Sequence, residues 1–185
     1  RVGSSSFSSP ILANLDGRDQ LFMSGAELII SYDPATGKEL WRGTGPATHT
    51  CTTVVWDGDL VFSSGGYPQK ATIALNRKTQ KVAWQNKDKS YEQSMLAVDG
   101  YLYTLNDAGI GICWNAQTGE EMWKERLGGP VSASPILAGG LIFATNERGQ
   151  TFVFKPNPQK FELVATNRLG DESFASPTIV GNRIY

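Results

Sequence analysis

Histidine and cysteine are scarce in this sequence. It contains one histidine, His49, and two cysteines, Cys51 and Cys113, which are too far apart to form a C-x-x-C pair. A histidine-rich metal site, a multi-histidine catalytic centre and a C-x-x-C redox or metal site are therefore excluded. Two cysteines at different points of the chain do not amount to a disulfide framework, and we expect two small buried thiols.

An excess of charge and a long apolar run are also missing. Lys and Arg number 17 and Asp and Glu number 18, for a net charge of -1 at pH 7. This balance gives no basic surface for nucleic acid or an anionic membrane. No apolar run is long enough to span a bilayer, so we expect no transmembrane segment. No apolar signal-peptide segment follows Arg1. We therefore expect that the true N-terminus was removed or that the protein never had a signal peptide.

What the sequence does contain is a nine-residue motif that recurs. Asp33–Trp41 and Asn115–Trp123 are close copies, and Asn76–Trp84 is a weaker one. The opening Asp or Asn can close an Asx-turn, and the Gly after Thr (Gly37 and Gly119) supplies the positive φ of a hairpin with a bulge. The weaker copy has Gln80 at this position. The closing Trp brings a large apolar surface that must be buried in the returning strand.

A second motif fixes the period of the repeat. Arg126–Pro135 and Arg168–Pro177 are similar, and their first residues are 42 apart (168 − 126). Arg1–Pro10 is a third copy, three such periods earlier. Degenerate copies lie near Val54 and Leu96.

Each repeat predicts four short strands joined by tight turns. Asp-Gly between apolar runs, as at Asp57-Gly58 and Asp99-Gly100, is a strong hairpin signal. Two turns are expected to be longer, Asn14–Asp19 and Ser63–Lys70. Repeats of 40–50 residues with four strands each are typical of propeller blades. We therefore predict an all-β fold, a β-propeller of four-stranded antiparallel blades with about 42 residues per blade.

The chain is predicted to be one propeller domain over residues 1–185, and a partial one. It covers roughly four and a half blades of a ring of about seven or eight. The fourth repeat departs from the motif, because Val164 stands where Trp is expected. The predicted units are approximately 1–43, 44–86, 87–125, 126–167 and an incomplete 168–185.

The Asx-x-x-Thr-Gly-x-x-x-Trp hairpin resembles the tryptophan-docking motif of the quinoprotein alcohol dehydrogenase-like propellers, or pyrroloquinoline-quinone (PQQ) repeats. The resemblance implies that Trp41, Trp84 and Trp123 dock between adjacent blades, with Gly37 and Gly119 in their turns. Some members of this superfamily are dehydrogenases that hold PQQ and calcium. Others bind no cofactor, among them an outer-membrane assembly lipoprotein, sensor domains fused to kinases and many exported proteins.

The residues place the chain nearer to the members without a cofactor. The adjacent Cys-Cys pair of the alcohol dehydrogenases is absent, and Glu92 with Asp171-Glu172 does not make up the six to eight oxygens that calcium needs. The resemblance then implies an exported protein, periplasmic or associated with the outer membrane. We expect it to bind a protein or a glycan without catalysis. The alternative is part of a PQQ-dependent dehydrogenase whose catalytic residues lie outside this segment.

Two regions are candidates for partner contacts. In a propeller, the loop before each innermost strand lies near the central channel, and here these loops carry small polar residues. They either let the blades converge or line a ligand site, with His49, Glu92 and Gln93 as the polar contacts. The second region is the long Ser63–Lys70 loop, where Tyr67 and Pro68 either contact a partner or belong to a tolerated surface insertion.

Overall fold

The computed structural model describes residues 5–185, which form twenty strands and contain no helix. The all-β prediction is confirmed. The chain divides into two compact units, the first ending at Tyr91 and the second beginning at Glu92. The single domain over residues 1–185 and its unit boundaries stay predictions. Residues 5–185 accordingly contain no membrane-spanning helix.

The first unit contains two four-stranded antiparallel sheets and one small parallel pair. Its strands are β1 (Ser5–Ser6), β2 (Ile11–Leu15), β3 (Arg18–Gly25), β4 (Leu28–Tyr32), β5 (Glu39–Thr44), β6 (His49–Thr50), β7 (Val55–Asp57), β8 (Leu60–Gly65), β9 (Ala71–Asn76) and β10 (Lys81–Asn86). The sheets run β2-β3-β4-β5 and β7-β8-β9-β10, in chain order. The pair is β1 with β6, where Ser5 lies opposite His49.

The second unit repeats this plan with two four-stranded sheets and a final hairpin. Its strands are β11 (Leu96–Val98), β12 (Tyr101–Leu105), β13 (Ile110–Asn115), β14 (Glu121–Arg126), β15 (Ile136–Ala138), β16 (Leu141–Thr145), β17 (Gln150–Phe154), β18 (Leu163–Arg168), β19 (Ile179–Val180) and β20 (Arg183–Ile184). Neighbours in sequence are again neighbours in each sheet. The prediction of four strands per repeat is therefore confirmed for the four complete repeats.

In each unit, two sheets share one apolar core. In the first unit Phe22 and Ile29 of one sheet pack in the same cluster as Val61, Ile73 and Leu75 of the next. All five side chains are at most 1% exposed. Full burial of an apolar side chain of this size contributes about 1.5–3 kcal/mol, so the cores hold neighbouring sheets together.

The core of the second unit has the same construction. Tyr103 and Leu105 of β12 cluster with Ile142 of β16 and with Phe152 and Phe154 of β17. The outermost strands differ, because β14 and β18 are mostly exposed. Burial thus falls on the middle strands of each sheet, as the apolar runs of the sequence indicate.

The Asx-turns predicted from the nine-residue motif are present. Oδ1 of Asp33 accepts the backbone N–H groups of Ala35 and Thr36 at 3.0 and 3.1 Å. Asn76 and Asn115 make the same pair of bonds in the other two copies. These bonds occupy backbone donors that the turn would otherwise leave without partners.

The residue that closes each of these turns has a positive φ. Gly37 has φ 69° and Gly119 has φ 74°, and Gln80 takes the same conformation at 58°. Glycine enters this region without a steric penalty, whereas a side chain at Gln80 brings Cβ close to the following carbonyl oxygen. A bulge follows in each copy, and Leu40 is the extra residue in the first, since Ser31 pairs with Trp41 and Tyr32 pairs with Glu39.

The strand pairing corrects the position at which the fourth repeat was expected to carry its Trp. Val153 lies opposite Ala165, as Ser31 lies opposite Trp41, so Ala165 rather than Val164 stands at the Trp position. Val164 is the bulge residue. The reason is the length of the turn: Lys155 N–H donates to the carbonyl of Glu162, whereas in the first copy Asp33 N–H donates to Lys38. The fourth turn is two residues longer and moves the register by two.

The two loops that were predicted to be long are shorter in the structure than the sequence indicated. Asn14 pairs with Asp19 and Leu15 with Arg18, which leaves a two-residue turn at Asp16 and Gly17. The hairpin strands are simply longer than expected. In the second repeat β8 continues through Gly65, so the loop comprises only residues 66–70.

The second sequence motif has a structural counterpart in the second unit. The backbone N–H of Ser94 donates to Oγ of Ser134 at 2.9 Å. The N–H of Ser134 donates to Oγ of Ser176 at 2.8 Å, across the 42-residue period. The motif serine thus links successive repeats. In the first copy the portion on residues 1–4 lies outside the described residues.

Candidate functional site

His49 and Tyr67, two of the sequence-predicted contacts, lie side by side in the first unit. The N–H of His49 donates to the carbonyl oxygen of Tyr67 at 3.0 Å. Their ring centroids are 5.4 Å apart with an interplanar angle of 37°. Tyr67 is 61% exposed, and Pro68 beside it is also exposed. The result is an exposed aromatic loop tip supported by a second ring.

A buried hydroxyl network holds the base of this loop. Ser64 Oγ and Thr72 Oγ1 are 2.9 Å apart, and Ser64 Oγ accepts the N–H of Ser90 at 2.8 Å. Thr52 Oγ1 donates to the Ser64 carbonyl at 2.8 Å. All four residues are fully buried. Because it is costly to separate buried polar groups from their partners, this network makes the base of the loop rigid.

A groove of about 460 Å³ lies next to the loop, within the first unit. It is bordered by the β3–β4 turn, the connection from β5 to β6, the loop after β8 and one residue of β10. Its polar side chains are Glu27, Thr44, Thr48, Gln69 and Gln85. We call this feature the polar groove. Its volume is within the range of about 300–1,000 Å³ that is typical of small-ligand sites.

Hydrogen bonds fix the connection that forms one wall of the polar groove. Gly45 N–H donates to the carbonyl of Glu27 at 2.8 Å, and Glu27 N–H donates to the carbonyl of Ala47 at 3.1 Å. The Thr48 hydroxyl donates to Oε1 of Glu27 at 3.0 Å. Backbone groups of the wall are therefore already satisfied within the protein.

Glu92 and Gln93, the other predicted contacts, lie in the second unit and differ in exposure. Glu92 is exposed, and its N–H donates to Oε1 of Gln93 at 3.0 Å. Gln93 is fully buried, and its Nε2 has no hydrogen-bond partner within residues 5–185. A partner at the surface of the unit would reach Gln93 only after this side chain had been uncovered, and the role of Glu92 and Gln93 as contacts stays a prediction.

The motif tryptophans are half-buried and pack on aromatic neighbours. Trp41 lies 5.5 Å from Phe22 between ring centroids, and its indole N–H donates to Oε1 of Gln20 at 3.1 Å. The Trp84 ring lies 5.9 Å from that of Phe62. The role of these rings in docking adjacent blades stays a prediction.

The titratable groups of residues 5–185 are dispersed rather than clustered. Among residues 5–185, no three His, Cys, Asp or Glu side chains come close enough to hold a metal ion. Burial raises the pKa of Cys113 to about 12, so its thiol stays protonated and weakly nucleophilic near neutral pH.

Sequence reasoning missed the polar groove and found the aromatic loop tip. The loop stood out because it exceeded the length of its counterparts. The groove residues Glu27, Thr48 and Gln85 are spread over three elements and belong to no motif. Only the packing of one repeat on the next places them around one space.

Comparison with known proteins identifies the family. The sequence profile of the family described as "Outer membrane protein assembly factor BamB" matches residues 3–100 and 69–155, together more than half of the chain. A curated member, outer membrane protein assembly factor BamB from Burkholderia pseudomallei (strain K96243), is 22% identical over 111 residues. That match covers 60% of this chain and 29% of the relative.

A solved structure shows the fold. The crystal structure of BamB from Moraxella catarrhalis superposes with a TM-score of 0.76 at 16% identity, covering all of this chain and 57% of that one. The β-propeller prediction is confirmed by this likeness, while the number of blades in the whole ring stays a prediction. The chain spans less than two thirds of either relative. The sequence repeats, the four-stranded sheets and the profile match agree, and the chain belongs to the family of the outer membrane protein assembly factor BamB.

Proposed function

We propose that this chain is a non-catalytic scaffold that binds another protein during assembly of the outer membrane. The observation that carries the proposal is the family membership, established over residues 3–155. The chemistry of the described residues supports it, since the buried Cys113 has a raised pKa and the carboxylates are scattered. A scaffold needs a rigid frame with exposed contact residues, and the first unit has both.

The protein contact centres on Tyr67 and Pro68. Tyrosine is enriched at protein interfaces because it combines a large apolar surface with a hydroxyl group. Tyr67 is 61% exposed, and the ring of His49 supports it at a centroid distance of 5.4 Å. A side chain already held in place loses little conformational entropy when a partner binds.

Site-specific photocrosslinking tests this contact. We expect p-benzoylphenylalanine at position 67 of the protein, in its native cells, to give a light-dependent adduct with an outer-membrane assembly protein. The matched control carries p-benzoylphenylalanine in place of Val82, which lies on β10 and is 38% exposed. Adducts of equal yield at both positions, or none at position 67, would contradict the proposed contact.

We propose further that the protein is exported and works in the periplasm or at the outer membrane. The family relationship supports this location. Fractionation of cells that produce the full protein tests it, and recovery in the cytoplasmic fraction would contradict it.

The dehydrogenase alternative is tested separately. Titration of the full protein with PQQ and Ca²⁺ should give no cofactor absorbance that stays with the protein and no dye-linked alcohol oxidation. Stoichiometric retention of PQQ with turnover would replace the scaffold proposal with a quinoprotein enzyme.

A further inference from the structure

The polar groove has a lining that protein contact at Tyr67 leaves unused. Its side chains are one carboxylate from Glu27, two carboxamides from Gln69 and Gln85, and two hydroxyls from Thr44 and Thr48, of which the Thr48 hydroxyl already donates to Glu27. Carboxamides donate and accept hydrogen bonds, and carboxylates only accept. The groove therefore presents both kinds of partner within one space.

The charge of the lining argues against an anionic ligand. None of the described residues around the groove is Lys, Arg or His, and Glu27 is acidic. Phosphate and sulfate groups are bound in proteins mainly by Arg, Lys and backbone N–H groups. A phosphorylated or sulfated ligand would meet a carboxylate and no compensating cation.

The backbone of the wall argues against an added peptide strand. Peptides that extend a sheet need unpaired backbone groups at its edge. In this wall the N–H groups of Gly45 and Glu27 are already bonded to backbone carbonyls at 2.8 and 3.1 Å. The apolar residues that line the groove are Leu28, Pro46 and Ala47.

We propose that the polar groove binds a neutral oligosaccharide. Sugar hydroxyls both donate and accept, which matches the carboxamides of Gln69 and Gln85 and the carboxylate of Glu27. Tyr67 directly precedes the groove residue Pro68 and is 61% exposed, so its ring is available to stack on the C–H face of a sugar that extends beyond the groove. The volume of about 460 Å³ is sufficient for a short saccharide.

Titration with two uncharged probes tests the proposal. Chitotriose and maltotriose are added to the purified protein and followed by saturation-transfer NMR and calorimetry. We expect saturable binding of at least one of them. Gln85→Ala should raise the Kd of the bound trisaccharide about threefold to tenfold, because one neutral hydrogen bond is lost. Gln117→Ala is the matched control, because Gln117 is also exposed but lies in a turn of the second unit.

The outcomes separate three explanations. Saturable binding that Gln85→Ala weakens and Gln117→Ala leaves unchanged supports the saccharide site. Absence of saturable binding with both probes overturns it. Equal binding of a sulfated chondroitin disaccharide overturns the neutral class, and displacement of the sugar by an extended peptide assigns the groove to protein. Both proposals use Tyr67, and they are tested apart: Gln85→Ala reports on the sugar, and the crosslink at position 67 reports on the protein contact.

Discussion

Trp123 donates its indole N–H to the backbone carbonyl of Asn157 at 2.8 Å. The two residues belong to successive repeats of the second unit, and the acceptor lies in the motif turn of the later repeat. The ring also packs on Phe154 and Phe161, with centroids at 6.2 and 5.4 Å. One side chain thus provides both an apolar contact and a hydrogen bond from one sheet to the next.

Removal of this ring should destabilise the protein strongly. We expect Trp123→Ala to lower the free energy of unfolding by about 3–5 kcal/mol, as deletion of a packed aromatic side chain does. Trp123→Phe keeps a ring and loses the bond to Asn157, so its cost should be smaller. Urea denaturation followed by circular dichroism measures both. Val164→Ala, at a bulge position that is 51% exposed, is the control and should change stability by less than about 0.5 kcal/mol. A loss under about 1 kcal/mol for Trp123→Ala would contradict docking of this ring.

Substitutions at two equivalent turn positions, 80 and 37, should change stability in opposite directions. Gln80 has φ 58°, where the first motif copy has Gly37 at 69°. Gln80→Gly should raise the free energy of unfolding by up to about 1 kcal/mol, because the relief of strain outweighs the greater conformational freedom that glycine gives the unfolded chain. Gly37→Gln should lower it by about 1 kcal/mol or more, although nothing lies within 4 Å of the added Cβ. Thermal unfolding of the two variants measures this, and stabilisation by Gly37→Gln would show that φ is not the cause.

Acid should weaken a contact between the two repeats of the first unit. Arg77 contacts Asp16 at 2.8 Å and Asp59 at 2.7 Å. The hydrogen bond from Arg77 holds the pKa of Asp16 below its usual value, so the native state binds this proton less readily than the unfolded state. The stabilisation is then present above the unfolded pKa of about 3.9 and is lost as pH falls through the lower native value.

The comparison that checks this contact is Asp16→Asn against the parent protein. The urea midpoint of the parent should fall towards that of the variant between about pH 5 and pH 3. Glu120→Gln, a change at an exposed residue of the second unit, should not show this convergence. If the urea midpoints of Asp16→Asn and the parent differed by the same amount at every pH in this range, the stability difference would not come from the ion pair.

The two cysteines should differ in reactivity. Cys113 is fully buried, and burial raises its pKa to about 12, whereas Cys51 is half-buried. The thiolate is the reactive form, so Cys113 should resist a disulfide reagent at pH 8 until the protein unfolds. Cys51→Ala should therefore remove rapid labelling from the native protein and leave one thiol that reacts in urea. Rapid labelling of native Cys51→Ala would show that Cys113 is accessible.

The local parts of the fold were predictable from sequence. Asx-turns, Asp-Gly hairpins and the closing Trp depend on residues within nine positions of one another, and the structure has them in the three copies that carry the motif. The register of the fourth repeat was predicted wrongly, since two additional turn residues moved the Trp position to Ala165. A turn of unusual length changes register without any signal in the strand itself.

The parts that depend on distant residues were not predictable. The pairing of Ser5 with His49 joins two strands of only two residues each, which is too short for a periodic pattern. The polar groove likewise depends on how Glu27 of one repeat and Gln85 of the next are placed. His49 and Tyr67 were identified one at a time, and their ring contact emerged only from the fold.

The Asx-turn hairpin has a consequence for the order of folding. The hydrogen bonds that close the turn join Asp33 to Ala35, Thr36, Gly37 and Lys38, all within five residues of it. Such low contact order lets the hairpin close in microseconds, as soon as it has been synthesised. Trp123, in contrast, must wait for an acceptor 34 residues later. Each repeat can therefore take its own shape early, and the chain becomes cooperative only when the following repeat arrives and covers the exposed indole.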